Sequence, residues 1–327
     1  MKTIRNLAFL AVLAGGFAVY RLGSPYQGFA TETYVDIPRG TSTGAIAGML
    51  ADAGVVRSRW DFLLARVAGR GRKLQAGEYR FDRRATPVEV YARMVRGDIF
   101  FIQLVVPEGQ NMFDIAASAE KLGLFPAAEF LAAARDPAQI RDLDPHAPTL
   151  EGYLFPNTYR VGRHTTPQQL CRMMTGKFRE VWRGLHAGGD VHDVVTLASL
   201  VEKEDKLEFE RPLIASVFAN RLRIGMKLDC DPTTIYAALL RGAYRGAIYQ
   251  SDLDSKDPYN TYRNAGLPPG PIANPGIASL QAALRPAESN ALYFVLRPDG
   301  SGAHQFSADL AAHKKAATKY QRGRRKK

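Results

Sequence analysis

The first strong pattern along the chain is an uncharged, apolar run from Leu7 to Tyr20, with Lys2 and Arg5 before it and Arg21 after it. A basic flank followed by such a run predicts a membrane anchor or a secretory leader. The run is short for a full crossing at about 1.5 Å per residue. The next residues (Arg21, Leu22, Gly23, Ser24, Pro25) form no small-x-small cleavage pattern, and no cysteine comes after them for lipid attachment. We therefore expect residues 1–5 in the cytoplasm, an uncleaved transmembrane anchor over 6–21 and the remaining chain on the far side. Residues 22–33 contain Gly, Ser and Pro without periodicity and read as a linker.

Alternation then predicts a strand at Tyr34-Val35-Asp36-Ile37-Pro38, with a turn at Gly40 and a helix whose stripe begins at Ile46 and stops at Gly54. A second helix is predicted over Ser58 to Ala68, and a turn into a strand at Leu74 to Tyr79. Thr86-Pro87 opens a further helix that ends near Gly97. The first of these units recurs in part. Val35-Asp36-Ile37-Pro38-Arg39-Gly40 returns as Leu104-Val105-Val106-Pro107-Glu108-Gly109, Ile46-Ala47 as Ile115-Ala116, and Gly54 as Gly123, all at one offset. A strand, a Pro-x-Gly turn and a helix are thus used twice.

From Thr149 the texture changes to aromatic and turn-forming residues, Glu151 to Tyr159. Helices are predicted from Thr166 to Trp182, from an Asp190 cap through Val201, and from Pro212 to Gly225. The second of these is apolar almost all round and should be buried. Cys230 to Thr234 and Asn260 to Gly276 read as loops, and long loops in a compact domain usually build a site. Leu292 to Leu296 reads as a strand and Asp309 opens a last helix.

Charge modifies this picture at one end. The 327 residues carry a net +12, but Lys314 to Lys327 alone hold eight Lys or Arg and no acid. That segment reads as a solvated basic tail, leaving a mildly basic body, and no nucleic-acid motif accompanies it. Cys171 and Cys230 form no metal-ligand spacing and read as free thiols; no metal and no cofactor is expected.

Chemistry concentrates where the buried helix meets Glu202-Lys203-Glu204-Asp205. A carboxyl against apolar side chains loses solvation, which favours its neutral form, and such an acid can protonate a leaving oxygen. Glu202 shares a helical face with Val195 and Ala198, and Glu204 one with Leu197, Leu200 and Val201, so periodicity leaves both open. The bland alternative is a surface pair between Glu202 and Lys206. No GxSxG, HExxH, P-loop or dinucleotide glycine pattern is present, and six histidines are scattered.

Six ordered motifs are similar to those of the YceG-like endolytic murein transglycosylases, the MltG family. They are Leu150 to Tyr159, Ala198-Ser199-Leu200-Val201-Glu202-Lys203-Glu204, Arg211 to Leu222, Asp231-Pro232-Thr233-Thr234-Ile235-Tyr236, Tyr259-Asn260-Thr261-Tyr262, and Gly266 to Gly276. The resemblance covers about 34 to 315. It implies an α+β fold with a small LysM-like module, here 34–103, and a larger α+β catalytic domain, 104–313, before the basic tail of 314–327. It implies a single-pass protein of the bacterial cytoplasmic (inner) membrane with its catalytic domain in the periplasm. It assigns catalysis to Glu202, as the first Glu of Val-Glu-Lys-Glu. The expected reaction cleaves the bond between N-acetylmuramic acid and N-acetylglucosamine in nascent peptidoglycan strands, leaving 1,6-anhydro ends and ending strand elongation. Peptidoglycan synthases are the implied partners, and Glu151, Asn260, Tyr262 and Asn274 the candidates for holding sugar. A muramidase using Asp231 or Asp257 as second carboxylate, or a non-catalytic wall-binding protein, is the competing reading. Cys230, Asp229 and Asn157 depart from the family's usual residues.

Overall fold

The computed structural model describes residues 2–186, 188–205 and 207–324. It is mixed α+β, mostly helical, with three two-stranded sheets. Its chain divides into two compact units, Met1–Ile102 and Gln103–Lys327.

The first unit opens with α1 (Lys2–Gly23), a helix of 22 residues. At about 1.5 Å per residue it is roughly 33 Å long, so helix continues past both ends of the apolar run and reaches the thickness of a hydrocarbon core. Its apolar stretch Ile4–Gly23 is long enough to cross a membrane and none of it is buried. Next are β1 (Thr33–Ile37), α2 (Thr43–Asp52), α3 (Arg59–Ala68), β2 (Gly77–Phe81) and α4 (Pro87–Arg96). β1 and β2 pair antiparallel, with Val35 opposite Tyr79. Alternate positions Val35 and Ile37 face a core shared with Leu50, Phe62, Tyr79, Val90 and Met94. Thr86 and Glu89 close a capping box at the start of α4. The base of α1 is tied down: Arg21 Nε and Nη2 donate to the two oxygens of Asp61 at 2.9 and 2.6 Å.

The second unit starts in β3 (Ile102–Val106), which pairs with β4 (Asn157–Val161), and contains α5 (Met112–Lys121) and α6 (Ala127–Ala134) between them. The internal repeat has a structural counterpart. Gly40 and Gly109 both turn the chain with positive φ, at 85° and 75°, and Gly54 and Gly123 end the following helices at 68° and 69°.

Further along come α7 (Pro167–Gly184), α8 (Val191–Glu204), α9 (Arg211–Arg223), α10 (Asp231–Leu240), the short α11 (Gln250–Leu253) and α12 (Ile277–Leu284). α8 is the centre of this unit: Val195 through Val201 are all buried, and α9 and α12 pack against it. Two expectations are corrected. Asp231 to Thr234 is the first turn of α10 rather than loop, because Pro232 lies in the first turn, where its missing N–H is not needed. The antiparallel pair β5 (Tyr293–Leu296) and β6 (His304–Ser307) is followed by α13 (Leu310–Arg324). So the segment from Lys314, expected as a loose tail, is helical to Arg324. Its alanines favour helix, and Ala316 is buried. Residues 325–327 of that expected tail lie outside the described residues.

Candidate active site

Glu202 occupies the last turn of α8, where the buried helix delivers a carboxylate to the surface of the core. Its side chain is only 7% exposed. The pairing with Lys206 considered from sequence lies outside the described residues, but so buried a side chain does not belong to a fraying surface turn. Among the described residues the nearest neighbours of Glu202 come from three elements. Gly276, the residue before α12, donates its backbone N–H to Oε2 at 3.0 Å. Arg211, at the start of α9, holds Nη2 3.7 Å from Oε1. Gly109 backs onto the side chain, so that a Cβ at this position would lie 3.4 Å from Glu202 Cγ. Lys203 donates to Gly109 O at 3.1 Å.

Glu204, which periodicity could not separate from Glu202, faces other partners. Its Oε1 accepts from Cys230 Sγ at 3.3 Å, and burial pushes its carboxyl up, with the nearby charge of Asp231 adding to the effect. Burial likewise pushes the Cys230 thiol up. Cys171 and Cys230 are both free and buried.

A second carboxylate reaches the Glu202 site from the Pro107-Glu108-Gly109 turn. Glu108 Oε2 is 3.8 Å from the same Arg211 Nη2. Its carboxyl lies flush on Gly276: a Cβ there would be 2.0 Å from Glu108 Cδ. Burial, and then the charge on Glu202, raise its carboxyl above the usual range, against the pull of Arg211. Arg211 also faces Asp205 at 2.8 Å and Glu208 at 3.9 Å. Sequence reading singled out none of Glu108, Arg211 and Gly276, although each lay inside a motif: the repeated turn, the Arg-Pro start of α9 and the end of the glycine-proline loop. Among the described residues no three His, Cys, Asp or Glu side chains are placed to share a metal ion.

The residues expected to hold sugar fall in two groups. Asn274 is fully buried. It accepts the N–H groups of Gly152 and Leu154 at 2.8 and 2.9 Å and donates to Gln110 O and Glu151 Oε1 at 3.0 and 2.7 Å. Its own backbone N–H bonds Gln110 O, and its carbonyl accepts from Gly109 N, each at 2.9 Å. The stretch carrying Gly276 is thereby zipped to the turn carrying Glu108. Glu151, also buried, accepts the Met112 N–H at 2.9 Å, and burial pushes its carboxyl up to about 8. Asn260 is buried too, its amide spread over the carbonyls of Asp252, Leu253 and Ser255. Glu151, Asn260 and Asn274 therefore shape the loops from inside. Tyr262 alone is partly exposed, its hydroxyl donating to Asp231 Oδ1 at 2.7 Å. Asp257 is paired with Arg241 at 2.8 Å.

Residues 35–319 match the YceG-like family. The chain belongs to the YceG-like family. Relatives carry the name endolytic murein transglycosylase. The Bacillus subtilis protein is 32% identical over 89% of this chain and 85% of its own length. That of Streptococcus pneumoniae D39 is 29% identical over 89% of this chain and 60% of its own. A crystal structure of a yceG-like protein from Listeria monocytogenes superposes with a TM-score of 0.56 at 32% identity, covering 87% of this chain and 98% of that one. The family match begins at Val35, within the first unit, and takes in every residue named around Glu202.

Proposed function

We propose that this member of the YceG-like family is a lytic transglycosylase, a lyase that cuts peptidoglycan glycan strands internally, with Glu202 as its acid and base. The observation that carries the reading is the setting of Glu202. It is a nearly buried carboxylate at the end of a core helix, oriented by one backbone N–H and one guanidinium, in a chain similar to named endolytic murein transglycosylases.

The mechanism balances with one carboxyl. Protonated Glu202 gives its proton to the oxygen between N-acetylmuramic acid and N-acetylglucosamine, and the bond from that oxygen to the muramic C1 breaks. The muramic C6 hydroxyl attacks C1, and its proton passes to the Glu202 carboxylate. Acid and base are the same group, no water is consumed, and the product is a 1,6-anhydro end. An intramolecular nucleophile gains its rate from proximity. Arg211 and the Gly276 N–H fix the carboxylate so that no reorganisation is needed when charge develops.

Of the sugar-holding candidates, Tyr262 is the one whose exposure suits contact with substrate, while Glu151, Asn260 and Asn274 act through the loops they hold. The order β1-α2-α3-β2 in the first unit supports a LysM-like module, and α1 supports a single-pass anchor that keeps the second unit beside newly made strands.

Hydrolysis of the same bond is the second reading, and Glu108 favours it as a carboxyl able to activate water. Digestion of purified peptidoglycan by the full chain in detergent, with products read by mass, decides between them. Anhydro ends that vanish in Glu202→Gln are expected. Ends heavier by one water would make the protein a muramidase, and no products from folded protein would end the enzymatic reading.

A further inference from the structure

The repeated strand, Pro-x-Gly turn and helix has one chemical difference at its turn: Arg39 in the first copy, Glu108 in the second. The second copy's turn is the one that meets the catalytic helix. Glu202 needs only a backbone donor and a cation to be held, and Arg211 with Gly276 supplies both, so the presence of Glu108 calls for its own explanation.

Three observations converge on it. First, Glu108 and Glu202 approach one nitrogen of one guanidinium, at 3.8 and 3.7 Å. Second, the two differ in access: the Glu108 side chain is 47% exposed and the Glu202 side chain 7%. Glu108 therefore forms the solvent side of the pair, the side from which a polymer must arrive. Third, Arg211 is outnumbered. It is itself buried, it faces Glu108, Glu202, Asp205 and Glu208, and its Nη1 makes no hydrogen bond among the described residues. Among the described residues a single guanidinium thus faces four carboxylates, and one of its buried donors is left without a hydrogen bond.

We propose that Glu108 is a second carboxyl of the reaction centre, a positioning residue on the substrate side of Glu202 that shares Arg211 with it. Its carboxyl divides the guanidinium's attention, so that Arg211 orients Glu202 without binding it as a closed ion pair. Among the described residues the titratable and charged groups around Glu202 are then Glu108 on the turn, Lys203 and Asp205 at the end of α8, Glu208 ahead of α9 and Arg211 at its start. Gly276 completes the arrangement, since only a residue without a side chain leaves room for the Glu108 carboxyl. This inference deepens the transglycosylase reading and rests on it for its kinetic half.

The test uses Glu108→Gln, which keeps the shape against Gly276 and removes the charge. In the full chain in detergent, kcat for anhydro-end formation should fall about tenfold or more, with KM changed less than about threefold and the pH profile displaced. The melting temperature should stay near that of the parent. A variant with parental kcat and an unmoved pH profile overturns the proposal, because a space-filling role survives the exchange.

A second measurement does not depend on turnover. Carboxyl carbon NMR of the full chain should find Glu108 titrating above an ordinary glutamate, and Glu202→Gln should bring that titration down. If removing the Glu202 charge leaves the Glu108 titration where it was, the two carboxyls are not coupled and the proposal fails. Absence of anhydro ends from the parent would sink the transglycosylase reading alone, leaving the coupling to be decided by the titration.

Discussion

The backbone N–H of Gly276 and the side chain of Glu202 meet at 3.0 Å across a sequence separation of 74 residues. The same glycine carries the Glu108 carboxyl against its Cα. Its φ of −78° and ψ of 175° are open to any residue, so the requirement for glycine here is one of space and not of backbone conformation.

That distinction makes Gly276→Ala informative. The added methyl would meet only the far end of a flexible glutamate, so the chain should fold, with a stability change under about 1 kcal/mol. Glu108 must swing out, however. Activity should fall by about tenfold, in step with Glu108→Gln, and combining the two substitutions should add little. Steady-state rates and thermal melts of the three variants check this. Fully additive losses would mean that Gly276 acts independently of Glu108.

Asn274 should behave as a structural residue whose loss is felt at the site. Its amide bonds two N–H groups, one carbonyl and the Glu151 carboxyl, all inside the protein. Asn274→Ala leaves buried polar groups without partners, which costs more than about 2 kcal/mol. A lowered denaturant midpoint is expected. If stability is unchanged while KM rises, the residue acts on substrate instead.

Glu151 gives the second unit a pH-dependent stability with a defined sign. Burial raises its carboxyl to about 8, while an unfolded glutamate titrates near 4.3. Between those values the folded state holds the proton that the unfolded state has released. Stability is therefore present in full at the acid end and is lost as pH rises through the window. Its contribution to thermal midpoints should decline from about pH 5 to pH 8. Glu151→Gln, which cannot ionise, should flatten this decline. It should also lower stability at pH 5, since the amide NH2 replaces a carboxyl oxygen that can still accept, and so cannot take the hydrogen bond of Met112 N–H or of Asn274 Nδ2. An unchanged slope in the variant would remove Glu151 as its cause.

How much of this was legible in the chain depends on range. The Asp190 cap and the apolar run behind it identified α8 as a buried helix, because both signals act within a few residues. The turn signals around Gly40, Gly54, Gly109 and Gly123 fixed where two similar units bend, since a positive φ is a local demand. The Asp231-Pro232 pair misled at this range: proline after aspartate suits a loop and the first turn of a helix equally, and the residues C-terminal to it decide. Likewise the lysines from Lys314 onward pointed to a solvated end, while the alanines between them supported a helix with one buried contact at Ala316.

Sequence by itself determined the apolar N-terminal segment, the buried helix α8 and, through the six motifs, the kinship on which the proposal for Glu202 rests. Period alone left Glu202 and Glu204 open, because both lie on apolar-backed faces of one helix. Only the tertiary structure gave them different surroundings: Arg211 and the Gly276 N–H for one, the Cys230 thiol for the other. It also brought Glu108 from a turn nearly a hundred residues upstream to the same guanidinium. Local periodicity records which side of a helix is buried, whereas the partners of a carboxylate are set by which loops close over it. Here Asn274, bonded to two distant segments at once, closes them.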